Sequence, residues 1–314
     1  MLRFGTIGSG WIVDEYIHGA KDSGLWELTA VYSRTAERAQ AFAQKHGAPL
    51  WFTDLEEMAA SPQIDAVYIA SPNALHFEQC RLFLERGKHV LCEKPLCAQG
   101  DKVAQLQQLA QERGLVFLEA IMYLHLPQRK ILEDALGQLG KLSLVKLDFC
   151  QRSSKLDSYL DGELPNIFNP ALALFGEPES FTVAPQMLNS GADGGGVLTL
   201  RYPDKLVVMT YSKLGQAGAN SDFQGTEGTL AVESISRVAG LSLWRKDGTV
   251  ERLFGDDEKY KLMGWEAKDF YRYITEPEAS AQEYARCSQL SLQVSCFMER
   301  VRKQAGLVFA SDPA

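Results

Sequence analysis

Cysteine pairs are the first feature that this sequence lacks. It has six cysteines, and no two of them form a Cys-x-x-Cys pair. Neither a zinc site nor a disulfide framework is therefore expected, and we predict no metal. Free thiols buried in a reducing cytoplasm are the simplest interpretation, so we expect a cytoplasmic protein.

Long apolar runs and basic clusters are missing as well. No apolar run approaches the roughly eighteen residues that a membrane helix needs. The chain begins directly with an apolar strand pattern at residues 2–7, so no signal peptide is expected. Lysine and arginine total 32 against 40 acidic residues, which gives a net charge of −8. We therefore expect neither a membrane nor a nucleic acid as a partner.

What is present is a regular alternation of apolar strands and helices. Six strands alternating with helices predict an α/β domain over residues 1–120, built on a doubly wound Rossmann-type parallel sheet. Right-handed crossovers would place the carboxyl ends of all six strands on one edge, where ligands bind. The residues at that edge are Gly8, Ser33, Ser71, Glu93 and Glu119.

A glycine-rich turn follows the first strand. Gly8-Ser9-Gly10-Trp11-Ile12-Val13 is the start of a dinucleotide fingerprint, in which the glycines allow a tight turn and a close approach to a pyrophosphate. The next helix would offer its first N–H groups to the phosphates. Val13 stands where a third Gly or Ala is usual, so the match is partial, and a plain pair of turn glycines is the alternative.

The second strand ends in Ser33-Arg34, where the residue that reads the adenosine ribose belongs. An acid there would accept a hydrogen bond from a ribose 2′-OH and repel a 2′-phosphate. A guanidinium instead binds phosphate oxygens. The pair favours NADP as cofactor, with NAD possible. The alternative is that Arg34 only opens a solvated helix.

The strand Val90-Leu91-Cys92 leads into Glu93-Lys94-Pro95. Pro95 ends the strand because it has no N–H to donate. Hydride transfer to a carbonyl leaves an alkoxide, which a lysine ammonium can stabilise or protonate. Lys94 is therefore the candidate catalytic residue. A solvated ion pair of Glu93 with Lys94 is the alternative.

Another polar loop, Ser71-Pro72-Asn73, follows the fourth strand, and Asn73 can cap the next helix. His76 lies in the first turn of that helix. Its place at a strand's carboxyl end suggests a role in a pocket. A satisfied surface histidine is the other interpretation.

These segments together resemble the Gfo/Idh/MocA family of NAD(P)-dependent oxidoreductases. The matching stretches are residues 5–12, 32–39, 64–73, 75–76 and 88–96. The resemblance implies an oxidoreductase that transfers a hydride between a nicotinamide cofactor and a sugar, polyol or related hydroxyl or carbonyl compound, with Lys94 as proton donor and acceptor. The alternative is a non-catalytic NAD(P)-binding sensor or regulator.

The resemblance also implies the positions of the cofactor contacts. The pyrophosphate would be lined by Gly8, Ser9, Gly10, Trp11 and Ile12. The adenosine ribose end would meet Ser33 and Arg34. The loop residues that flank the cofactor would be Ser71, Pro72, Asn73 and His76. Glu93 would reach the nicotinamide ribose, and Lys94 would face the cofactor and the oxygen of the reacting carbon.

From Gly140 onward the apolar period changes to two, and Asp247-Gly248 is a strong hairpin signal. We predict an α+β substrate and oligomerisation domain over residues 121–314, with a large, mainly antiparallel sheet. Helices that cover one face of such a sheet leave the other exposed or paired. Burial of that face against a second copy is usual in the family, so a homodimer or dimer of dimers is expected.

Substrate contacts are expected in the segment that follows the sixth strand. Residues 120–127 resemble the family's crossing segment between domains, where Tyr123 and His125 are polar groups in an apolar run. They are candidate substrate residues, and packing at a domain junction is the alternative.

The segment around Asn169 departs from the family pattern. The family usually carries a His or Tyr there as a second acid/base group, but no His or Tyr lies between Asp161 and Gly176. About one loop and most of a helix are missing near Asn169-Pro170, so Asn169 is the candidate substrate residue at this point. Either the protein has residues here that this sequence omits, or it lacks its second catalytic group. The well-matched flanks favour omission, because direct joining would leave a marginal helix of about two turns.

Overall fold

Residues 1–153, 162–218, 221–307 and 309 are described by the structure, a computed structural model. Six parallel strands form its first sheet, in the order β3-β2-β1-β4-β5-β6. They are β1 (Leu2–Ile7), β2 (Trp26–Tyr32), β3 (Leu50–Phe52), β4 (Ala66–Ile69), β5 (His89–Glu93) and β6 (Phe117–Ala120). The predicted doubly wound sheet is confirmed, and its strand order reverses between β1 and β4.

Helices connect these strands and begin or end at local signals. They are α1 (Trp11–Asp22), α2 (Ala36–His46), α3 (Leu55–Ala60), α4 (His76–Glu85) and α5 (Gly100–Glu112). The Thr35 hydroxyl accepts a hydrogen bond from the N–H of Arg38 at the start of α2, and Gly47 ends that helix in the left-handed conformation with φ 71°. Because the signals are local, they were readable from the sequence.

The core of this sheet is apolar and contains thiols. Val90 and Phe83 pack there with Cys80, Cys92 and Cys97, all three of them buried free cysteines. Cys287 is also buried, whereas Cys150 and Cys296 are only half-buried. Full burial is therefore confirmed for four of the six cysteines.

Eight strands form the second sheet, in the order β14-β13-β12-β11-β7-β10-β9-β8. They are β7 (Leu142–Cys150), β8 (Ser180–Met187), β9 (Asp193–Arg201), β10 (Leu206–Ser212), β11 (Ser221–Gly225), β12 (Gly228–Ser234), β13 (Ala239–Arg245) and β14 (Val250–Phe254). Among the described pairings only β7 with β10 is parallel, which confirms a mainly antiparallel sheet.

The two faces of this sheet differ in burial. One row of directly paired residues is buried and apolar: Leu200, Val207, Val145, Phe223 and Leu230. Phe297 packs edge-on against Phe168 and Phe181, with ring centroids 5.1 and 5.2 Å away. The neighbouring row on the opposite face is Thr199, Val208, Lys146, Asp222 and Ala231. We call this second side the open face.

The remaining helices are α6 (Met122–His125), α7 (Arg129–Leu136), α8 (Pro165–Phe175), α9 (Lys259–Thr275) and α10 (Pro277–Gln304). Among the described residues, none of the helices is long and apolar enough to cross a membrane.

The chain forms two compact units, and the first contains two separate segments of sequence. It comprises Met1–His125 with Glu258–Ser295, and the second comprises Leu126–Asp257 with Cys296–Ala314. The sequence suggested a single boundary at residue 120. The later segment joins the first unit because Trp26 donates a hydrogen bond from Nε1 to the Ala267 carbonyl at 2.8 Å and stacks on Phe270.

Helix α8 runs without a break across Asn169 and Pro170. Pro165 suits the first turn, where its missing N–H costs nothing. Asn169 donates from Nδ2 to the Pro165 carbonyl at 2.9 Å. The helix has 11 residues rather than the expected two turns, because the residues before Asn169 join it. Asp161 lies outside the described residues.

Candidate active site

The glycine turn after β1 lies at the point where the strand order reverses. Gly8 has φ 115°, and a Cβ there would lie 2.7 Å from the Ala70 carbonyl oxygen, so only glycine fits. Val13 is fully buried behind the turn, and its Cγ2 would be 3.4 Å from a Cβ on Gly8. Val13 therefore fills the space between the helix and the strand. In the usual fingerprint, a glycine at this position lets the helix and the strand approach each other closely.

The start of α1 has the properties of an anion site. Gly10 is its N-cap without a side-chain hydrogen bond, and a Cβ on Gly10 would meet nothing within 4 Å. Ser9 and Trp11 are exposed, and Ile12 is half-buried. Open space in front of unpaired helix N–H groups fits a pyrophosphate.

The end of β2 carries the predicted ribose residues. Ser33 is nearly buried and donates its N–H to the Phe52 carbonyl at 3.2 Å. Arg34 is exposed, as is Arg38 one helical turn later. Two exposed guanidinium groups next to the start of α2 suit a 2′-phosphate.

Glu93 is held in place and faces inward. The Tyr68 hydroxyl donates to its Oε1 at 2.6 Å, and the Lys94 N–H donates to its Oε2 at 3.2 Å. Tyr68 is buried and stacks on Tyr16, with ring centroids 3.8 Å apart. Burial, and after it Glu93, raises the pKa of Tyr68 well above its usual range, so the hydroxyl stays a donor. Glu93 therefore differs from a freely solvated surface acid.

The turn after Lys94 is held by a buried acid from the neighbouring strand. The Lys94-Pro95 peptide bond is cis. The Leu96 N–H donates to Glu119 Oε1 at 3.0 Å, and the Ser291 hydroxyl donates to Glu119 Oε2. Burial raises the pKa of Glu119 to about 7. Lys94 itself is half-buried at the end of β5.

The loop after β4 and His76 differ in exposure. Ser71 donates from Oγ to Gln79 Oε1 at 2.6 Å, Pro72 is exposed, and Asn73 is half-buried in a short 3₁₀ turn over Asn73–Leu75. His76 is completely buried at the start of α4. It is therefore not a surface histidine, and its contact with a cofactor stays a prediction.

Tyr123 and His125 are both buried in α6. Asp269 Oδ2 lies 2.9 Å from His125 Nδ1, and Arg272 donates to the other Asp269 oxygen at 3.1 Å. Burial alone would raise the pKa of Asp269. The hydrogen bonds from His125 and Arg272 outweigh this effect and lower that pKa. Within the described part of the chain, His125 Nε2 has no hydrogen-bond partner.

Asn169 belongs to the second unit. It is buried in α8, and its Oδ1 has no partner among the described residues. The candidate residues that one sheet edge brings together are Gly8, Gly10, Ser33, Arg34, Ser71, Glu93 and Lys94.

Sequence reasoning placed Glu119 at this edge but missed its contact with the Lys94 turn, and it missed Tyr68 and Glu266 altogether. Tyr68 and Glu119 stand in otherwise apolar strands, which is a readable signal. Glu266 of α9 had no such signal. Glu266 is buried. Burial is the larger cause, and the nearby charge of Glu93 the next, that raises the pKa of Glu266 well above its usual range.

Comparison with known proteins gives the family. The model of the Gfo/Idh/MocA oxidoreductase family, described as an NAD-binding Rossmann fold, matches residues 2–120. A scyllo-inositol 2-dehydrogenase (NADP(+)) of Bacillus subtilis is 38% identical over 331 positions, covering 100% of both chains. A D-xylose 1-dehydrogenase (NADP(+)) of Haloferax volcanii is 34% identical, covering 48% of this chain and 47% of its own.

The fold is also found among solved structures. A 3-ketoreductase from Actinomadura kijaniata, solved with NADP and TDP-benzene, has a TM-score of 0.82 and 23% identity, covering 96% of this chain and 97% of its own. The alignment to the Bacillus protein spans 331 positions against 314 residues here, a difference of 17.

A parallel sheet with a glycine turn at its switch point is the arrangement of a dinucleotide-binding domain, and the family model and the dehydrogenase relatives make the class an NAD(P)-dependent oxidoreductase. The similarity to the Bacillus relative covers both chains completely, so the family assignment applies to the whole chain. The chain belongs to the Gfo/Idh/MocA family of oxidoreductases, as the sequence motifs predicted.

Proposed function

We propose that this protein is an NADP-dependent oxidoreductase that acts on a sugar, polyol or related hydroxyl or carbonyl compound. The observation that carries the proposal is the turn at Lys94, where an ammonium group follows β5 on the edge that holds the glycine turn. The substrate class rests on the hydroxyl compounds that the two dehydrogenase relatives are named for. Tyr123, His125 and Asn169 stay candidates for its recognition.

The chain's own residues would bind and orient the reactants. The first turn of α1 would hold the pyrophosphate, and Glu93, fixed by Tyr68, would position the ribose next to it. When bound, nicotinamide accepts or supplies the hydride. Lys94 would stabilise the negative charge on the reacting oxygen and exchange a proton with it.

Replacement of Lys94 tests this role. Lys94→Ala removes the ammonium, and Lys94→Arg keeps a positive charge that does not release its proton. We expect both variants to lose turnover by between about a hundredfold and ten-thousandfold, with cofactor affinity largely kept. The measurement is turnover against a panel of polyols and aldoses, with cofactor binding followed by fluorescence. Lys130→Ala, on the exposed face of α7, is the control.

A non-catalytic sensor is the second candidate, and the lack of a His or Tyr between Asp161 and Gly176 favours it. Tight cofactor binding by the wild type without turnover on any panel compound would support the sensor. Full turnover by Lys94→Ala would instead leave an enzyme whose proton transfer depends on another group.

Arg34 tests the cofactor preference. Arg34→Ala removes a charge-assisted hydrogen bond to the 2′-phosphate, so NADP affinity should fall by about tenfold to a hundredfold while NAD affinity changes little. Titrations with each cofactor measure the two constants. Arg113→Ala, an exposed arginine after α5, should change neither. Equal losses for both cofactors would contradict the assignment.

A further inference from the structure

His76 lies between two loops that leave adjacent strands. The parallel strands β4 and β5 pair with Ile69 opposite Cys92, so the loops that follow them emerge side by side. The first loop contains Ser71, and the second contains Lys94 and Pro95. The pairing of β4 with β5 fixes where the two loops begin. It does not fix the distance between the loops after that point.

The imidazole of His76 contacts both loops. Its Nδ1 lies 2.9 Å from the Pro95 carbonyl oxygen, and its Nε2 lies 2.9 Å from the Ser71 carbonyl oxygen. A carbonyl oxygen only accepts, so each contact needs an N–H on the ring. A neutral ring satisfies one contact, and a protonated ring satisfies both. Burial lowers the pKa of His76, and the two carbonyls and Glu93 oppose that effect.

The backbone after Lys94 is held from two sides. His76 contacts the Pro95 carbonyl, and Glu119 accepts from the next N–H, that of Leu96. A lysine side chain has a flexible four-carbon stem, so its ammonium is placed accurately only if its backbone is fixed. A buried polar ring costs free energy unless it is hydrogen-bonded, and an apolar ring would fill the same space.

We propose that His76 is a positioning residue, whose ring lies against the Pro95 and Ser71 carbonyls, donates to one of them at a time when neutral, and so sets the spacing of the Lys94 turn and the Ser71 loop. The inference rests on the proposed function. The contact at Nδ1 sets the place of Lys94 and should act on turnover. The contact at Nε2 sets the place of the loop that would flank the cofactor and should act on cofactor affinity.

Two conservative variants separate the contacts. The amide nitrogen of asparagine can take the place of Nδ1, and that of glutamine can take the place of Nε2. We expect His76→Gln to lose about tenfold to a hundredfold in kcat, because a small misplacement of a reacting group is costly, with little change in cofactor affinity. His76→Asn should keep most of kcat and weaken cofactor binding by about threefold to tenfold, the value of one hydrogen bond.

His89 supplies the matched control. It stands at the opposite end of β5, where its Nδ1 accepts a hydrogen bond from the Val116 N–H at 2.9 Å. We expect neither His89→Asn nor His89→Gln to change kcat or cofactor affinity selectively. Thermal unfolding of all four variants shows whether losses follow stability alone. Parallel losses in both His76 variants, in proportion to their lower Tm, would overturn the proposal.

A readout without cofactor completes the test. In the ¹⁵N NMR spectrum of the cofactor-free protein, the His76 ring should show a hydrogen-bonded N–H that exchanges slowly with water. A freely exchanging ring would overturn the proposal, even where the variants do not fold. If the wild type binds cofactor but has no turnover, the proposed function fails. The NMR signal and the selective effect of His76→Asn on cofactor affinity would still test the role of His76.

Discussion

Tyr68 and Glu119 show what residue-level reasoning reaches and what it misses. The choice of Glu93 and Lys94 as candidate residues followed from their place at the end of an apolar strand. The contacts of Tyr68 with Glu93, and of Glu119 with Leu96, depend on which strands are neighbours in the sheet. His76 illustrates the same limit, because its burial depends on the turn at Pro95, which is distant in sequence.

Glu119 should make the stability of the protein depend on pH. Its pKa rises from 4.5 to about 7 on folding, so below pH 4.5 both states are protonated, and stability is lost as pH rises toward 7. The loss is about 3 kcal/mol at most. Glu119→Gln keeps acceptor and donor groups for Leu96 and Ser291 without the charge. We expect it to be more stable than the wild type at pH 8 and similar to it at pH 4.5.

Urea unfolding at these two pH values measures the difference. Glu112→Gln, at the exposed end of α5, is the control and should follow the wild type at both. A Glu119→Gln variant whose stability runs parallel to that of the wild type would mean that folding does not raise the pKa of Glu119.

Helices α1 and α9 touch through glycine. A Cβ on Gly19 would lie 2.7 Å from the Gly264 backbone nitrogen, and this neighbour is main chain that does not move aside. We expect Gly19→Ala to destabilise the protein by about 1–3 kcal/mol, since overpacking outweighs the better helix propensity of alanine. Chemical denaturation gives the value.

Gly137→Ala is the control for this contact. Gly137 follows α7 with φ −61°, and its nearest neighbour to a new Cβ is the Asp134 carbonyl oxygen at 3.4 Å. Its stability should change by less than about 0.5 kcal/mol. If Gly19→Ala behaves in the same way, the two helices can separate without cost.

Local signals explain which elements were predictable. The hairpin at Asp247-Gly248 was expected, and the Gly248 N–H does bind the Arg245 carbonyl there with φ 87° at Gly248. Strand β11 was missed because Ser221–Gly225 has one apolar residue, Phe223. Strand β9 has three consecutive glycines after its first residue, Asp193. A Cβ on the middle one, Gly195, would lie 2.8 Å from the Tyr211 carbonyl oxygen.

The open face of the second sheet argues for self-association of the whole molecule. Val197, Trp244 and Val250 are 43%, 53% and 50% exposed on this face, among polar neighbours such as Lys146 and Asp222. We expect a homodimer, or a dimer of dimers, that buries this face. Light scattering at micromolar concentration should give at least twice the 34.9 kDa of one chain.

Trp244→Glu should shift the protein toward the monomer, because it places a charge in an apolar contact. Trp51→Glu is the matched control, since Trp51 is 43% exposed in the first unit. A monomeric wild type, or equal effects of the two substitutions, would exclude this face as the interface.

The distribution of thiols makes the two compact units chemically distinguishable. The four buried cysteines lie in the first unit, and the half-buried Cys150 and Cys296 lie in the second. An alkylating reagent added during gradual denaturation would therefore modify Cys80, Cys92 and Cys97 only as the parallel sheet opens. Mass spectrometry of the labelled peptides would then follow the unfolding of the first unit, with the half-buried Cys150 and Cys296 of the second unit as internal references and without any engineered probe.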